Sequence, residues 1–264
     1  VSRPAATGAA PVVLFDLDDT LMAHRDAVRA GIFAHVRALA YDGEPAAADA
    51  LWHELEERHY HAYLGGTLTF EGQRRARARD FAAAHGHVIG DEESGRWFAD
   101  YFEHYREAWA LHADALPALD ALEAVLPGVR FGIITNGEAG FQQRKLEQLG
   151  IAGRFEHVVA SGAIGVTKPD RRIFDAAVAA FVGEDTGPSD PDGSPPAAVY
   201  VGDRLATDAL GAARAGLLGI WLDRGIANAE AADPALRDEA LEAGVIRIQG
   251  LDELAPLLVG RFGG

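Results

Sequence analysis

Short apolar runs rich in β-branched and aromatic residues recur along the chain at 12–15 (VVLF), 130–134 (RFGII), 155–160 (FEHVVA), 198–201 (AVYV), 218–222 (LGIWL) and 245–248 (VIRI). They are continuous rather than alternating, as expected of strands covered on both faces of a parallel sheet. Between them the apolar period lengthens to that of a helix. Ile173, Phe174, Ala177, Val178 and Phe181 share one helical face after Pro169, and Leu119, Leu122 and Leu126 share another after Pro117; proline is favoured in a first helical turn. Gly150 and Gly216 stand where helix C-terminal glycines belong. From Pro117 to the end strand and helix alternate, which predicts an α/β body with right-handed crossovers.

One stretch breaks this rhythm. Between the first strand and a helix opening at Leu116 the chain reads as helices only, over 24–40, 45–63, 70–85 and 91–112, with breaks at Gly43, Gly65-Gly66 and Gly86/Gly90. The pattern predicts a helical domain at 22–115 inserted into a core made of 1–21 and 116–264. Residues 1–11, small and punctuated by Pro and Gly, read as a disordered tail, and the apolar run after them meets Asp16 too early for a signal peptide. The segment 183–196, GEDTGPSDPDGSPP, reads as a surface loop that cannot bury enough to order itself.

With 264 residues, 48% hydrophobic, the chain can bury a sizeable core. Its 24 Lys and Arg against 40 Asp and Glu leave a net charge of −16, which would repel a nucleic-acid polymer or an anionic membrane surface. No run of about 20 apolar residues predicts a membrane span, and a cytoplasmic location is expected. The absence of cysteine rules out disulfides, zinc–thiolate sites, iron–sulfur clusters and a cysteine nucleophile. Any metal must be held by oxygen or imidazole. Lysine occurs only at 145 and 168.

The first strand ends in Asp16-Leu17-Asp18-Asp19-Thr20. A strand end meeting solvent accounts for single acids there, with Asp19 or Thr20 capping a turn, but less well for Asp16 and Asp18 alternating about Leu17. At the C-terminal edge of a parallel sheet such a pair offers one carboxylate to attack and another to shuttle a proton. The second strand ends in Thr135-Asn136-Gly137 before a helix starting near Glu138, either a plain N-cap or an anion site built from a hydroxyl, an amide and main-chain N–H groups. Lys168 precedes Pro169 at a helix start, where the dipole disfavours a cation, so an anion should compensate it. The fourth strand runs into Gly202-Asp203, with Asp208 following. With Asp16 these acids would repel one another unless a hard cation intervened, and oxygen-only ligands point to Mg²⁺.

The pieces DLDDT, TNG, KP and GDRLATD, in this order and at these junctions, resemble the haloacid dehalogenase-like (HAD) hydrolase superfamily over nearly the whole chain. The resemblance implies a Rossmann-like parallel sheet ordered 3-2-1-4-5 with helices on both faces, and an all-helical cap inserted after strand one. It implies Asp16 as a nucleophile forming an aspartyl-phosphate and Asp18 as the acid/base. Thr135 and Asn136 become phosphate-binding residues, and Lys168 the cation that steadies nucleophile and phosphoryl group. Asp203, Asp16 and the Asp18 main-chain carbonyl become Mg²⁺ ligands, with Asp208 a ligand or its supporting partner. Phosphoryl transfer is served by such positioning and charge neutralisation.

An acid at position 18 implies a phosphatase acting on a small phosphorylated metabolite; dehalogenases of the superfamily lack it because halide leaves without a proton. Phosphonate hydrolases of the superfamily use a cap lysine, and 22–115 contains none. A phosphomutase, a 2-haloacid dehalogenase and a non-catalytic phosphate-binding relative remain as alternatives. ITNGEAGFQQRKLEQLGI and VGDRLATDALGAARAGLLGIWLDR resemble the branch of pyrimidine nucleotide 5′-phosphatases and N-acylneuraminate-9-phosphatase. Arg74, Arg75, Arg77 and Arg79 read as a solvated helix face that could alternatively hold an anion. His53, His59, Tyr60, His61 and Tyr63 read as packing and surface, or as a stacking platform for a base or sugar. Hinges are expected at 23–24 and 111–117, and Lys145 reads as a surface residue.

Overall fold

A computed structural model describes residues 10–41, 43–182, 198–226 and 229–262. The loop expected at 183–196 and nearly all of the tail expected at 1–11 lie outside them. Among the described residues one sheet forms from β1 (Val12–Phe15), β2 (Arg130–Thr135), β3 (His157–Ala160), β4 (Ala198–Gly202), β5 (Leu218–Leu222) and β6 (Ile246–Ile248), in the order β3-β2-β1-β4-β5-β6. Every pairing is parallel. The expected order is present, with the last apolar run added as an edge strand beyond β5.

β1 carries four apolar side chains, each 0% exposed. It is in register with both neighbours, Phe15 opposite Ile133 of β2 and Val201 of β4. The chain leaves β1 towards β2 and β3, then returns to its other side for β4 and β5, so the strand order reverses between β1 and β4, where open α/β sheets bind ligands.

The chain divides into two compact units, 24–110 and a second made of 1–23 with 111–264. The first contains α1 (His24–Ala38), α2 (Pro45–Leu64), α3 (Phe70–Ala84) and α4 (Asp91–Glu107). Trp52 lies at its centre, its ring centroid 4.5 Å from that of Tyr101, 5.3 Å from Trp97 and 5.5 Å from Phe81. Gln73, Arg77 and Phe81, one helical turn apart along α3, all face inward. Arg77 therefore departs from the solvated face expected of the arginine run: its guanidinium lies 4.5 Å over the Trp52 ring and 2.9 Å from Glu56. Arg75 and Arg79 do face outward and both pair with Asp91, while Arg74 lies 4.1 Å over Phe70. His59 bonds Asp80 at 2.8 Å and His61 pairs with Glu57 at 3.3 Å.

α4 stops at Glu107, short of the residue 112 suggested by its pattern. Leu111 instead bridges Met22 in antiparallel fashion, and the His112 N–H donates to the Leu21 carbonyl at 2.9 Å. The two ends of the core segments thus lie side by side. Arg224 fastens them, donating to both Asp114 carboxylate oxygens (3.0 and 2.9 Å) and to the Thr20 carbonyl (3.0 Å).

The core unit continues with α5 (Ala115–Val125), α6 (Ala139–Gln148), α7 (Ser161–Ile164), α8 (Arg171–Ala180), α9 (Gly211–Ala215), α10 (Ala229–Ala232), α11 (Pro234–Glu242) and α12 (Leu254–Phe262). α8 starts later than Pro169 suggests because Asp170 takes the cap, its side chain accepting from the Arg172 N–H at 2.9 Å. Pro169 therefore belongs to the approach. Ile173, Phe174, Ala177 and Phe181 pack on Val12, Leu14, Ile134 and Tyr200, and full burial of each larger side chain is worth about 1.5–3 kcal/mol. A π-helical turn, Leu205–Leu210, leads into α9. Among the described residues no helix is long and apolar enough to cross a membrane.

Candidate active site

The Asp16 N–H donates to the Val201 carbonyl at 2.8 Å, extending the β1–β4 ladder by one residue. Leu17, 0% exposed, points into the core, and in extended chain its neighbours Asp16 and Asp18 point the other way. The chain then closes a tight turn in which the N–H groups of Leu21 and Met22 both reach the Leu17 carbonyl (3.0 and 2.9 Å). Asp19 occupies the left-handed region there (φ 62°), which aspartate tolerates better than most residues. The alternation noticed in DLDDT is thus a strand end with one side chain buried and two carboxylates presented.

Lys168 compensates the first of these. Its buried ammonium donates to Asp16 Oδ1 at 2.6 Å, lies 2.7 Å from Asp208 Oδ1, and donates to the Tyr200 hydroxyl at 2.8 Å. That hydroxyl lies 3.1 Å from the Ile134 carbonyl and 3.2 Å from Asp208 Oδ1, and its single proton serves one of them. Burial alone would lower the Lys168 ammonium; Asp16 and then Asp208 outweigh it and hold the group above its ordinary value.

Asp208, 1% exposed, is further fixed by the Arg204 N–H, which donates to Oδ2 at 3.0 Å. Its place depends on Gly202. A Cβ at that glycine would come within 2.5 Å of the Asp208 Cβ and Cγ, so a glycine at the end of β4 is a packing requirement for Asp208.

Asp16, Asp203 and Asp208 each offer an oxygen, all within 4.8 Å of one another. Burial raises the Asp16 carboxyl to about 7; Lys168 opposes this, and Asp208 and Asp18 add to it. Asp203 is likewise pushed well above the carboxylate range, by burial and then by Asp208 and Asp16. Three crowded acids, two of them paired with the Lys168 ammonium, form an oxygen-only donor set suited to a hard divalent cation. The Asp18 side chain is not in this group.

Asp18 instead faces a second lysine. Lys145 was expected at the surface, as a lone lysine on a helix normally is; it is 1% exposed, and its Nζ donates to both Asp18 oxygens at 2.6 and 2.9 Å. One turn back on α6, the buried Gln142 Nε2 donates to Thr135 Oγ1 at 3.0 Å and reaches Asp18 Oδ2 at 3.4 Å. Gln142, Lys145 and Leu146 form the inward face of α6. The available signal was rarity: both lysines of the chain lie buried against the carboxylates of one strand end.

Thr135, 2% exposed, ends β2. The Asn136 side chain is engaged with the Lys168 main chain, donating from Nδ2 to its carbonyl at 3.1 Å and accepting its N–H at Oδ1 at 2.7 Å. This fork ties the end of β2 to the segment that carries Lys168.

Residues 10–216 match the model of the haloacid dehalogenase-like hydrolases. The chain is 32% identical to the phosphoserine phosphatase of Thermus thermophilus over 236 residues, covering 81% of this chain and 89% of that one. A shorter likeness, 39% over 106 residues, covers 40% of this chain and 43% of the Escherichia coli pyrimidine 5′-nucleotidase YjjG. In fold the chain is similar to the magnesium-bound HAD-hydrolase YfnB of Bacillus subtilis, with a TM-score of 0.69 at 19% identity, over 95% of this chain and 99% of that one. With a parallel sheet, a helical unit inserted after β1 and carboxylates gathered where the strand order reverses, the chain belongs to the haloacid dehalogenase-like hydrolases.

Proposed function

We propose that the protein is a Mg²⁺-dependent phosphomonoester hydrolase acting on a small phosphorylated metabolite through an aspartyl-phosphate on Asp16. The observation that carries this reading is the pair of carboxylates at the end of β1, each held by its own buried lysine. Asp16 attacks phosphorus as a carboxylate, the form that Lys168 favours. Asp18 acts in its protonated form, giving its proton to the departing oxygen and so becoming the carboxylate that Lys145 holds; that carboxylate then takes a proton from the water that cleaves the acyl phosphate, which restores the acid.

Thr135 Oγ1 accepts from Gln142, which leaves its own proton to donate to a phosphoryl oxygen. With its side chain engaged, Asn136 would act on the anion through its main chain and by steadying Lys168. Asp16, Asp203 and Asp208 would hold Mg²⁺, with the Asp18 carbonyl, and the ion would neutralise charge on the phosphoryl group. A halide would leave without a proton, so dehalogenation would give Asp18 no task. The relatives support short phosphorylated metabolites, among them phosphoserine and nucleoside 5′-monophosphates, as the class to assay.

The test is phosphate release from p-nitrophenyl phosphate and a panel of phosphorylated metabolites, with chloride release from 2-chloropropionate as the contrast. Turnover should require Mg²⁺, stop with EDTA and vanish in Asp16→Asn. Retained activity in Asp16→Asn, or chloride release with no phosphatase activity, would overturn the proposal.

A further inference from the structure

We propose that Lys145 and Gln142 are positioning residues that aim the Asp18 carboxylate at the leaving-group oxygen; this rests on the hydrolase reading above. Lys145 contacts both oxygens of Asp18, so it fixes the plane of the carboxylate as well as its position. Gln142 supplies the direction. One amide nitrogen reaches both Asp18 Oδ2 and Thr135 Oγ1, which keeps the carboxylate beside the hydroxyl assigned to the phosphoryl group.

The composition of the site favours this role over a structural one. Burying an ammonium is costly, and a buried ion pair can often be replaced by apolar side chains without loss of stability. Packing α6 against the sheet therefore does not call for Lys145. Nor does the chain use lysine elsewhere, apart from Lys168 on Asp16. Lysine presents a compact charge on a flexible stem and can sit between two oxygens of one carboxylate end-on, where the wider arginine fork needs more room.

Leaving-group dependence tests the proposal. p-Nitrophenolate departs with little need of a proton, whereas the alkoxide of glycerol 2-phosphate needs one. General acid catalysis contributes about 10²–10⁴-fold. In Lys145→Met, kcat on glycerol 2-phosphate should fall on the order of 100-fold, at least ~10-fold more than on p-nitrophenyl phosphate, with little change in KM. Gln142→Leu should shift the same ratio less, and Lys145→Arg should restore part of it. Adding Lys145→Met to Asp18→Asn should cost little further activity, because residues acting through one group are not additive.

Equal losses on both esters, no loss, or additive losses in the double variant would overturn the assignment of Lys145. If Lys145→Met does not fold, the ratio in Gln142→Leu decides, and an unchanged ratio there rejects the proposal. These results are separable from failure of the hydrolase reading. That failure would appear as inactivity of the unmodified protein on both esters or persistent activity in Asp16→Asn, and either would remove this proposal with it.

Discussion

Replacing Lys168 with methionine tests whether the site is held together by that one ammonium. Methionine nearly matches the length of the side chain, so the substitution removes charge rather than volume. It deletes contacts of 2.6 Å to Asp16 and 2.7 Å to Asp208, both buried. Removing one partner of a buried ion pair costs about 3–5 kcal/mol because the other is left uncompensated. Here the cost should depend on pH. The folded Asp16 carboxyl stands at about 7, above its ordinary value, so the folded state binds the extra proton and stability falls as pH rises through that window. Lys168 pulls this group down; without it the carboxyl moves higher and the fall continues past pH 7, at about 1.4 kcal/mol for each unit.

At pH 5.5, where Asp16 is protonated in both, the variant should already be weaker than the parent because Asp208 has lost its buried partner at 2.7 Å. The gap should widen by a further ~2 kcal/mol by pH 8.5, at about 1.4 kcal/mol for each of the roughly 1.5 units above 7. Urea unfolding in EDTA, followed by circular dichroism at both pH values, measures it. A deficit under about 0.5 kcal/mol at pH 8.5, or one that shrinks as pH rises, would mean that Lys168 does not hold these carboxylates in place.

Two further outcomes follow from other parts of the molecule. Gly202→Ala places a methyl within 2.5 Å of Asp208, so it should cost about 1–3 kcal/mol by overpacking and raise the Mg²⁺ concentration for half-maximal activity about 10–100-fold; unchanged Mg²⁺ dependence would mean that Asp208 does not support the ion. In the helical unit, His35 is 2% exposed, edge-on to Trp97 at 4.2 Å, and its imidazole is lowered to about 4 by burial and then by His104, against a smaller opposing effect of Asp100. The unfolded chain then binds the extra proton between pH 6.5 and 4, so stability falls as pH drops through that range, by up to about 3 kcal/mol; thermal scans should show this acid slope reduced in His35→Phe.

The strands were legible because a continuous apolar run has one use in a parallel sheet, and each run became a strand within a residue or two of its ends. What periodicity could not supply was an override from distant parts of the chain. Residues 108–112 continue the pattern of α4, yet Leu111 pairs with Met22 and the helix ends early. Asp16, Lys168, Asp203 and Asp208 could be grouped beforehand because strand ends on one edge of a sheet converge whatever fills the interior. Lys145 and Arg77 could not. A charged residue on a helix reads as solvated unless its partner is known, and the partner of Lys145 lies 127 residues away. Asn136 shows a third kind of omission: its residue type suits an anion site, but its amide serves a main chain that sequence alone does not bring near.

The pairing of Leu21 and Met22 with His112 and Leu111, fastened by Arg224, also bears on how such a protein can change over evolutionary time. Because the exit and entry points of the inserted segment are already joined by the core, the conformational penalty of lengthening that segment grows only with the logarithm of its length. Selection can therefore rewrite the inserted helices as an exchangeable cassette while the buried lysines and carboxylates at the strand ends keep their places.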